Sequence, residues 1–318
     1  MSNLTTDLKT IQEETLLNLK ASKANNTLRA YKSDFHDFGL FCVKNGFKSL
    51  PSNPKTVSLY LTYLATKNMK ISTIKRRLVS IAVVHKLKGH YLDNKHPSII
   101  ENLLGIKRRK GVQQKGKKPL LINNLKEIIN VIDQDNSSEI KTYRDRSIIL
   151  LGFGGGFRRN ELVSLNYDDL DFVNEGLKIN LRKSKTDQFG EGSIKALPYF
   201  DNPQYCPVKS VQKWLKLSKI KEEAIFRKFH KGNKLSNIRL SDQSVALLIK
   251  YYLNKAGIDS SDYSGHSLRS GFATSAAEAG AEERSIMNMT GHKSTEMVRR
   301  YIKEANLFKN NALNKIKM

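Results

Sequence analysis

The sequence predicts a mainly α-helical protein with a small antiparallel β-sheet, divided into two domains. Three observations carry this. Apolar residues in the first hundred positions recur at spacings of three and four. A basic, glycine-containing stretch at 107–118 breaks that pattern. Strict alternation at Leu177, Ile179 and Leu181 then marks a strand in the second half. A length of 318 residues suits two domains of ordinary size.

The first domain, 1–106, reads as a small helical unit. Leu28, Tyr31, Phe35, Phe38 and Cys42 share one helix face, with Asn26 as the expected N-cap and Asn45-Gly46 as the stop. Pro51 and Pro54 mark a loop. Val57, Tyr60, Leu61 and Leu64 form a second stripe. Ile74, Leu78, Ile81, Val84 and Leu87 form a third, capped by Ser72, with Lys75, Arg76 and Lys86 on the opposite face. A short helix covers Ser98 to Leu104. The stretch 107–118 reads as a solvated basic linker that also lies against a polyanion.

The second domain, 119–318, begins near Pro119. Helices are expected at Leu121–Ile132 and Tyr143–Leu151. The Leu177–Leu181 strand follows, then a turn at Gly190 and Gly192 and a partner strand at Ile194–Leu197. Helices return at Val208–Leu217 and Ser241–Lys255. From Ser267 the chain is mostly helical, broken near Gly280 and Thr290-Gly291. The tail 302–318 keeps Ile302, Leu307, Phe308, Leu313 and Ile316 among basic residues.

Composition bounds the function. Apolar residues make up 39% of the chain, enough for a buried core, so it is not a disordered protein. Lys and Arg number 55 against 30 Asp and Glu, a formal charge of +25. That excess calls for a polyanionic partner, nucleic acid first. An acidic membrane surface fits less well, because the basic residues spread over the chain rather than along one amphipathic helix. Cys42 and Cys206 show no C-x-x-C spacing and read as reduced thiols. The N-terminus lacks the pattern of a signal peptide, and no apolar run reaches membrane length. A cytoplasmic, nucleoid-associated location is expected.

The second domain carries an ordered set of chemistry-bearing residues. Arg158 lies in Gly-Phe-Arg-Arg-Asn-Glu-Leu and Lys185 in Ser-Lys-Thr-Asp-Gln. His266 and Arg269 follow in Gly-His-Ser-Leu-Arg, His292 in Thr-Gly-His-Lys-Ser, and Tyr301 in Val-Arg-Arg-Tyr-Ile. Together they supply what attack on a phosphodiester needs. Arginine forks meet charge building on the non-bridging oxygens. Tyr301 offers a phenol nucleophile, with an ordinary pKa of ~10, so a base such as His266 must help it. Lys185 is a candidate acid for the leaving 5′-oxygen, and His292 a donor to a phosphate oxygen. Glu161, three residues after Arg158, is placed to orient that arginine. Gly154, Gly155 and Gly156 permit close approach of backbone to a ligand. No carboxylate cluster suggests a metal, and Gly-Lys-Ser/Thr is missing after the glycines, which argues against a nucleotide-binding loop.

Singly, each residue has a duller explanation. His-x-x-Arg is common, Tyr301 alone reads as core or surface, and Lys183 and Arg159 compete for the roles of Lys185 and Arg158. His85, His90 and His96 hint at a metal site that no further ligand completes. Order and spacing taken together lift the set above these.

In these segments the chain resembles the tyrosine recombinase (phage integrase) family, the Xer- and Cre-like site-specific recombinases. The first half is similar to that family's helical, SAM-like core-binding domain at Thr27–Phe35 and Ser72–Leu78. The second half resembles its α+β catalytic domain, with Tyr301 nine residues after His292. The sequence before Asn26 looks too short for an added arm-binding domain. The resemblance implies a clamp around double-stranded DNA and Tyr301 forming a 3′-phosphotyrosyl link. It implies Arg158, Lys185, His266, Arg269 and His292 as its helpers, with no cofactor. It also implies a homotetramer on paired sites, with the tail 302–318 contacting a neighbouring protomer. Two other readings stay open: a DNA-binding protein of this fold without catalysis, and a single-strand swivelling topoisomerase of related chemistry.

Overall fold

A computed structural model describes residues 24–111, 116–135, 138–182 and 192–306, with scattered positions in 8–22 and 308–316. The chain forms two compact units, Met1–Lys115 and Gly116–Met318.

The described part of the first unit from Asn25 on is built of α1 (Asn25–Lys44), α2 (Pro54–Thr66), α3 (Ile71–Leu87) and α4 (Pro97–Lys110). Their core is made of the expected stripes. Phe38 and Cys42 meet Val57, Tyr60, Leu61 and Leu64, and Ile74, Leu78 and Ile81 close over them. A polar layer also joins α1 to α3. Arg76 pairs with Asp34 at 2.5 Å, Arg77 pairs with Asp37, and Tyr60 donates to Asp37 at 2.6 Å.

Several boundaries differ from expectation. Helix α1 starts at Asn25 rather than after Asn26, and α3 starts at Ile71, which leaves Ser72 in its first turn. The inward face of α3 ends on His85, fully buried, while Leu87 is exposed. The His85 ring accepts from the Ser52 amide and meets the Ile81 carbonyl, and the His96 ring caps α4. Backbone groups thus occupy both rings. Helix α4 is longer than the 98–104 segment and takes in Lys107–Lys110, the first part of the expected linker. Four consecutive cations suit a helix C-terminus, where the carbonyl ends are negative. Residues 112–115 lie outside the described residues. Lys118 already belongs to the second unit, its amide donating to the Asp262 carbonyl and its ammonium pairing with the Asp262 carboxylate at 2.7 Å.

The second unit is built on α6 (Glu139–Gly154), whose residues Arg144–Phe153 are all buried. Against it pack α5 (Ile122–Asp133), α8 (Pro207–Ser218), α9 (Asp242–Lys255) and α10 (Ser267–Glu278). Helix α7 (Arg159–Ser164) leads into a three-stranded antiparallel sheet in the order β1 (Leu170–Val173), β2 (Gly176–Leu181) and β3 (Ser193–Pro198). Leu177, Ile179 and Leu181 all point into the core, as alternation requires. Gly190 lies outside the described residues. Strands β1, β4 (Arg227–Phe229) and β5 (Leu235–Arg239) carried no alternation strong enough to be read from sequence. Helices α11 (Glu283–Thr290) and α12 (Thr295–Ala305) follow, broken where Gly280 and Gly291 fall, and a short 3-10 turn lies at Ala312–Lys315. Among the described residues no helix is long and apolar enough to cross a membrane.

One contact fixes the start of α10. The Leu120 amide donates to the Ser267 carbonyl at 2.9 Å, which lays residues 118–120 along the helix. A Cβ on Gly271 would then sit 1.9 Å from the Leu120 carbonyl oxygen. Backbone cannot yield as a side chain does. Gly271→Ala is therefore expected to lower unfolding stability by roughly 1–3 kcal/mol. Gly39→Ala, on α1 with nothing within 4 Å of the new methyl, is expected to raise it by about 1 kcal/mol. Denaturant midpoints of the two variants check both signs.

Candidate active site

Five of the six residues singled out from sequence gather at one place in the second unit. The sixth, Lys185, falls outside the described residues, as does its competitor Lys183.

Arg158 is the N-cap of α7. Its amide donates to Glu161 Oε2 at 3.0 Å and its guanidinium to Glu161 Oε1 at 2.5 Å. Glu161, 4% exposed, thus closes the first turn and aims the arginine. The other arm of Arg158 donates to the Gly291 carbonyl at 3.3 Å. Arg159 turns elsewhere, toward Asp242 at 3.6 Å.

Arg269 lies in the first turn of α10 and has no exposed surface. Its Nη1 donates to the Gly156 carbonyl at 2.9 Å. Its Nε and Nη2 are buried without a hydrogen-bond partner among the described residues. Two unmet donors on a buried cation are the signature of a site shaped for an anion. Burial first, then the charge of Arg158, bring its pKa down to about 10. The close backbone approach expected of the glycine run is toward protein. A Cβ on Gly156, at φ +54°, would meet Thr290 Cγ2 at 3.1 Å and Phe272 at 3.2 Å.

His292 follows the Gly291 cap of α11. Thr290 Oγ1 lies 2.6 Å from the Ile286 carbonyl and 2.7 Å from His292 Nδ1. The hydroxyl has one proton, and the carbonyl can only accept. Nδ1–H therefore donates to Thr290, which leaves Nε2 of the neutral ring as an acceptor. Burial, then the charges of Arg269, Arg158, His266 and Lys195, lower the His292 pKa to about 4. His266, the N-cap of α10, is exposed at the rim of this group.

Tyr301 is on α12, three residues after Val298. Both face the small side chains Ala273 and Ala277 of α10, beside Ile286. Its ring centre is 6.2 Å from that of His292. Burial raises the phenol pKa, and the charge of Arg269 opposes that rise.

One member was not anticipated. Lys195 on β3 is 5% exposed and lies close enough to Arg158 and Arg269 to be perturbed by both. The signal was present in sequence. With Leu197 facing inward, alternation puts Lys195 inward and Ile194 out, and Ile194 is 69% exposed. An apolar groove of about 550 Å³ lined by Ile122, Phe153, Tyr199 and Phe200 contains none of these residues.

The displaced histidine pKa has a consequence for folding. Its folded value lies below the ordinary 6.5, so between about 6.5 and 4 the unfolded chain binds a proton that the folded one refuses. Stability is therefore expected to fall as pH drops through that window, with a shallower fall in His292→Gln. Urea midpoints measured at pH 4, 5, 6 and 7 check this.

Residues 119–307 match the Phage integrase family. An integrase/recombinase XerD homolog of Selenomonas ruminantium is 40% identical over 301 residues, 94% of this chain and 87% of the relative. Tyrosine recombinase XerC of Leptospira interrogans is 28% identical over 90% of this chain and 85% of its own. Among solved structures, XerH site-specific recombinase bound to palindromic difH substrate superposes with a TM-score of 0.63 at 19% identity. That match covers 89% of this chain and 80% of the other, a likeness of fold. With a family match over most of the second unit and a 40% identical relative along nearly the whole length, the chain belongs to the phage integrase family of tyrosine recombinases.

Proposed function

We propose that this protein is a site-specific DNA recombinase that cuts and rejoins strands through Tyr301. The observation that carries the reading is Arg269, fully buried with two donors that have no partner among the described residues, beside Arg158 and within electrostatic reach of the tyrosine. A phosphodiester brings the charge these donors lack.

In this reading the Tyr301 phenol oxygen attacks the scissile phosphorus, and its proton passes to His266. The bond from phosphorus to the 5′-oxygen breaks, and Lys185, in the β2–β3 connection, protonates the leaving oxygen. A 3′-phosphotyrosyl link and a 5′-hydroxyl result. Attack by the 5′-hydroxyl of a partner strand reverses each proton transfer and frees Tyr301. One phosphodiester is exchanged for another through an ester, so no high-energy cofactor is required. Arg158 and Arg269 hold the non-bridging oxygens, whose charge grows as phosphorus becomes five-coordinate. His292 donates to one of them once it carries a second proton. The anion favours that proton by offsetting the surrounding positive charge. Burial raises the Tyr301 pKa further, which adds to the need for a base.

Double-stranded DNA is the proposed partner, bound by the first unit and the basic stretch 107–118 as well as by the site. Four protomers on two paired sites, linked through the tail 302–318, and a nucleoid-associated location belong to the same reading.

Sequencing the DNA junctions formed in cells that carry this gene would define the target. On a nicked duplex of that target, the wild-type chain is expected to trap a covalent adduct. Tyr301→Phe should trap none while binding within about threefold of wild type. An adduct that survives the change would overturn Tyr301 as nucleophile. Binding should also weaken with salt at a log–log slope of roughly −5 for six phosphate contacts, read by titration at several salt concentrations.

A further inference from the structure

The buried ammonium of Lys195 has no part in the chemistry above, yet it touches both backbone segments that present that chemistry. Its Nζ donates to the Gly155 carbonyl at 2.8 Å and to the Met289 carbonyl. Gly155 caps the C-terminus of α6, three residues before Arg158. Met289 is in the last turn of α11, three residues before His292. Carbonyls at helix C-termini are the negative ends of helix dipoles, so one cation answers two of them. The ammonium also lies 5.1 Å from the centre of the Phe157 ring. The arginines add parallel links: Arg269 reaches Gly156 and Arg158 reaches Gly291. Lys195 is the member of this set whose backbone lies on the sheet, in a strand held by β2.

We propose that Lys195 is a positioning residue for strand cleavage: it clamps the ends of α6 and α11 together and so sets the spacing between Arg158 and His292 that a scissile phosphate must span. The proposal rests on the recombinase reading of the site. A clamp of this kind matters because a misplacement of about 1 Å in a catalytic constellation can cost roughly 10²-fold in rate. The charged groups facing Lys195 are Glu161, which favours its ammonium, and Arg269 and Arg158, which repel it; the neutral His292 ring lies within the field of the ammonium. Burial is the larger effect and brings its pKa down to about 8. The clamp therefore loses its charge as pH rises through that value in the free protein.

The test compares wild type, Lys195→Met and Lys195→Arg in the full chain, on the nicked duplex of the mapped junction. Lys195→Met is expected to slow adduct formation about 10²-fold while DNA affinity stays within about threefold. Lys195→Arg keeps the charge and should recover most of the rate. At limiting DNA the wild-type rate should break downward above about pH 8, a break that Lys195→Arg lacks, because arginine stays protonated there. Wild-type speed in Lys195→Met, or a folded Lys195→Arg as slow as Lys195→Met, overturns the proposal.

A second readout needs no DNA. In ¹⁵N NMR titrations of His292, Lys195→Met should raise the imidazole pKa above its value of about 4 and disturb its Nδ1–H tautomer, while Lys195→Arg should not. An unchanged titration and tautomer in Lys195→Met also overturns it. If wild type forms no adduct at all, the recombinase reading fails by itself, and the His292 titration alone then decides whether Lys195 is a clamp.

Discussion

The second unit is organised around a concentration of positive charge that its described residues do not neutralise. Arg158 lies close enough to perturb Arg269, Lys195 and His292, and among the described residues Glu161 is the carboxylate that meets them. The pKa values of Arg269, Lys195 and His292 all fall, each first through burial and then through its cationic neighbours. A single anion among them would relieve all three. Charge held in place before the ligand arrives needs no reorganisation when charge develops, and this is the most effective form of electrostatic catalysis. The free protein bears the strain of holding these cations together.

Folding must tolerate that cluster, and the fold does so with backbone rather than with acid. A pKa of about 8 instead of 10.5 means that keeping Lys195 charged costs about 3 kcal/mol relative to water. The carbonyl ends of α6 and α11 offset part of this, and the same two segments receive Arg269 and Arg158. Carbonyls stabilise a cation without binding it as a carboxylate would. Nε and Nη2 of Arg269 thus have no partner among the described residues. Glu161 is the exception, and it holds one arm of Arg158 while closing the α7 turn.

The first unit solves the opposite problem. Arg76 and the half-buried Arg77 on α3 are matched by Asp34 and Asp37 on α1, and Tyr60 completes the network. Matched charges there serve the joint between α1 and α3. The net charge of +25 resides in the unmatched surface lysines and arginines, which suit sequence-independent attraction to phosphate.

Periodicity made most of the helices legible. Phe38, Leu61, Ile74 and Ile81 are core residues because an apolar stripe at helical spacing has no other stable use. It erred at ends such as Ser72 and Lys107–Lys110, where capping depends on local backbone that spacing does not encode. Strands β1, β4 and β5 are too short to show alternation.

For the site, the sequence by itself determined which residue types were available: the order Arg158, Lys185, His266, Arg269, His292 and Tyr301 could be read before any fold was known. Tertiary structure alone decided which of two adjacent arginines faces the cluster, which nitrogen of His292 holds the proton, and which carbonyls the inward Lys195 meets. The reason is physical. A residue's chemistry is fixed by its own atoms, but its charge state and partners depend on what distant segments bring within a few ångströms.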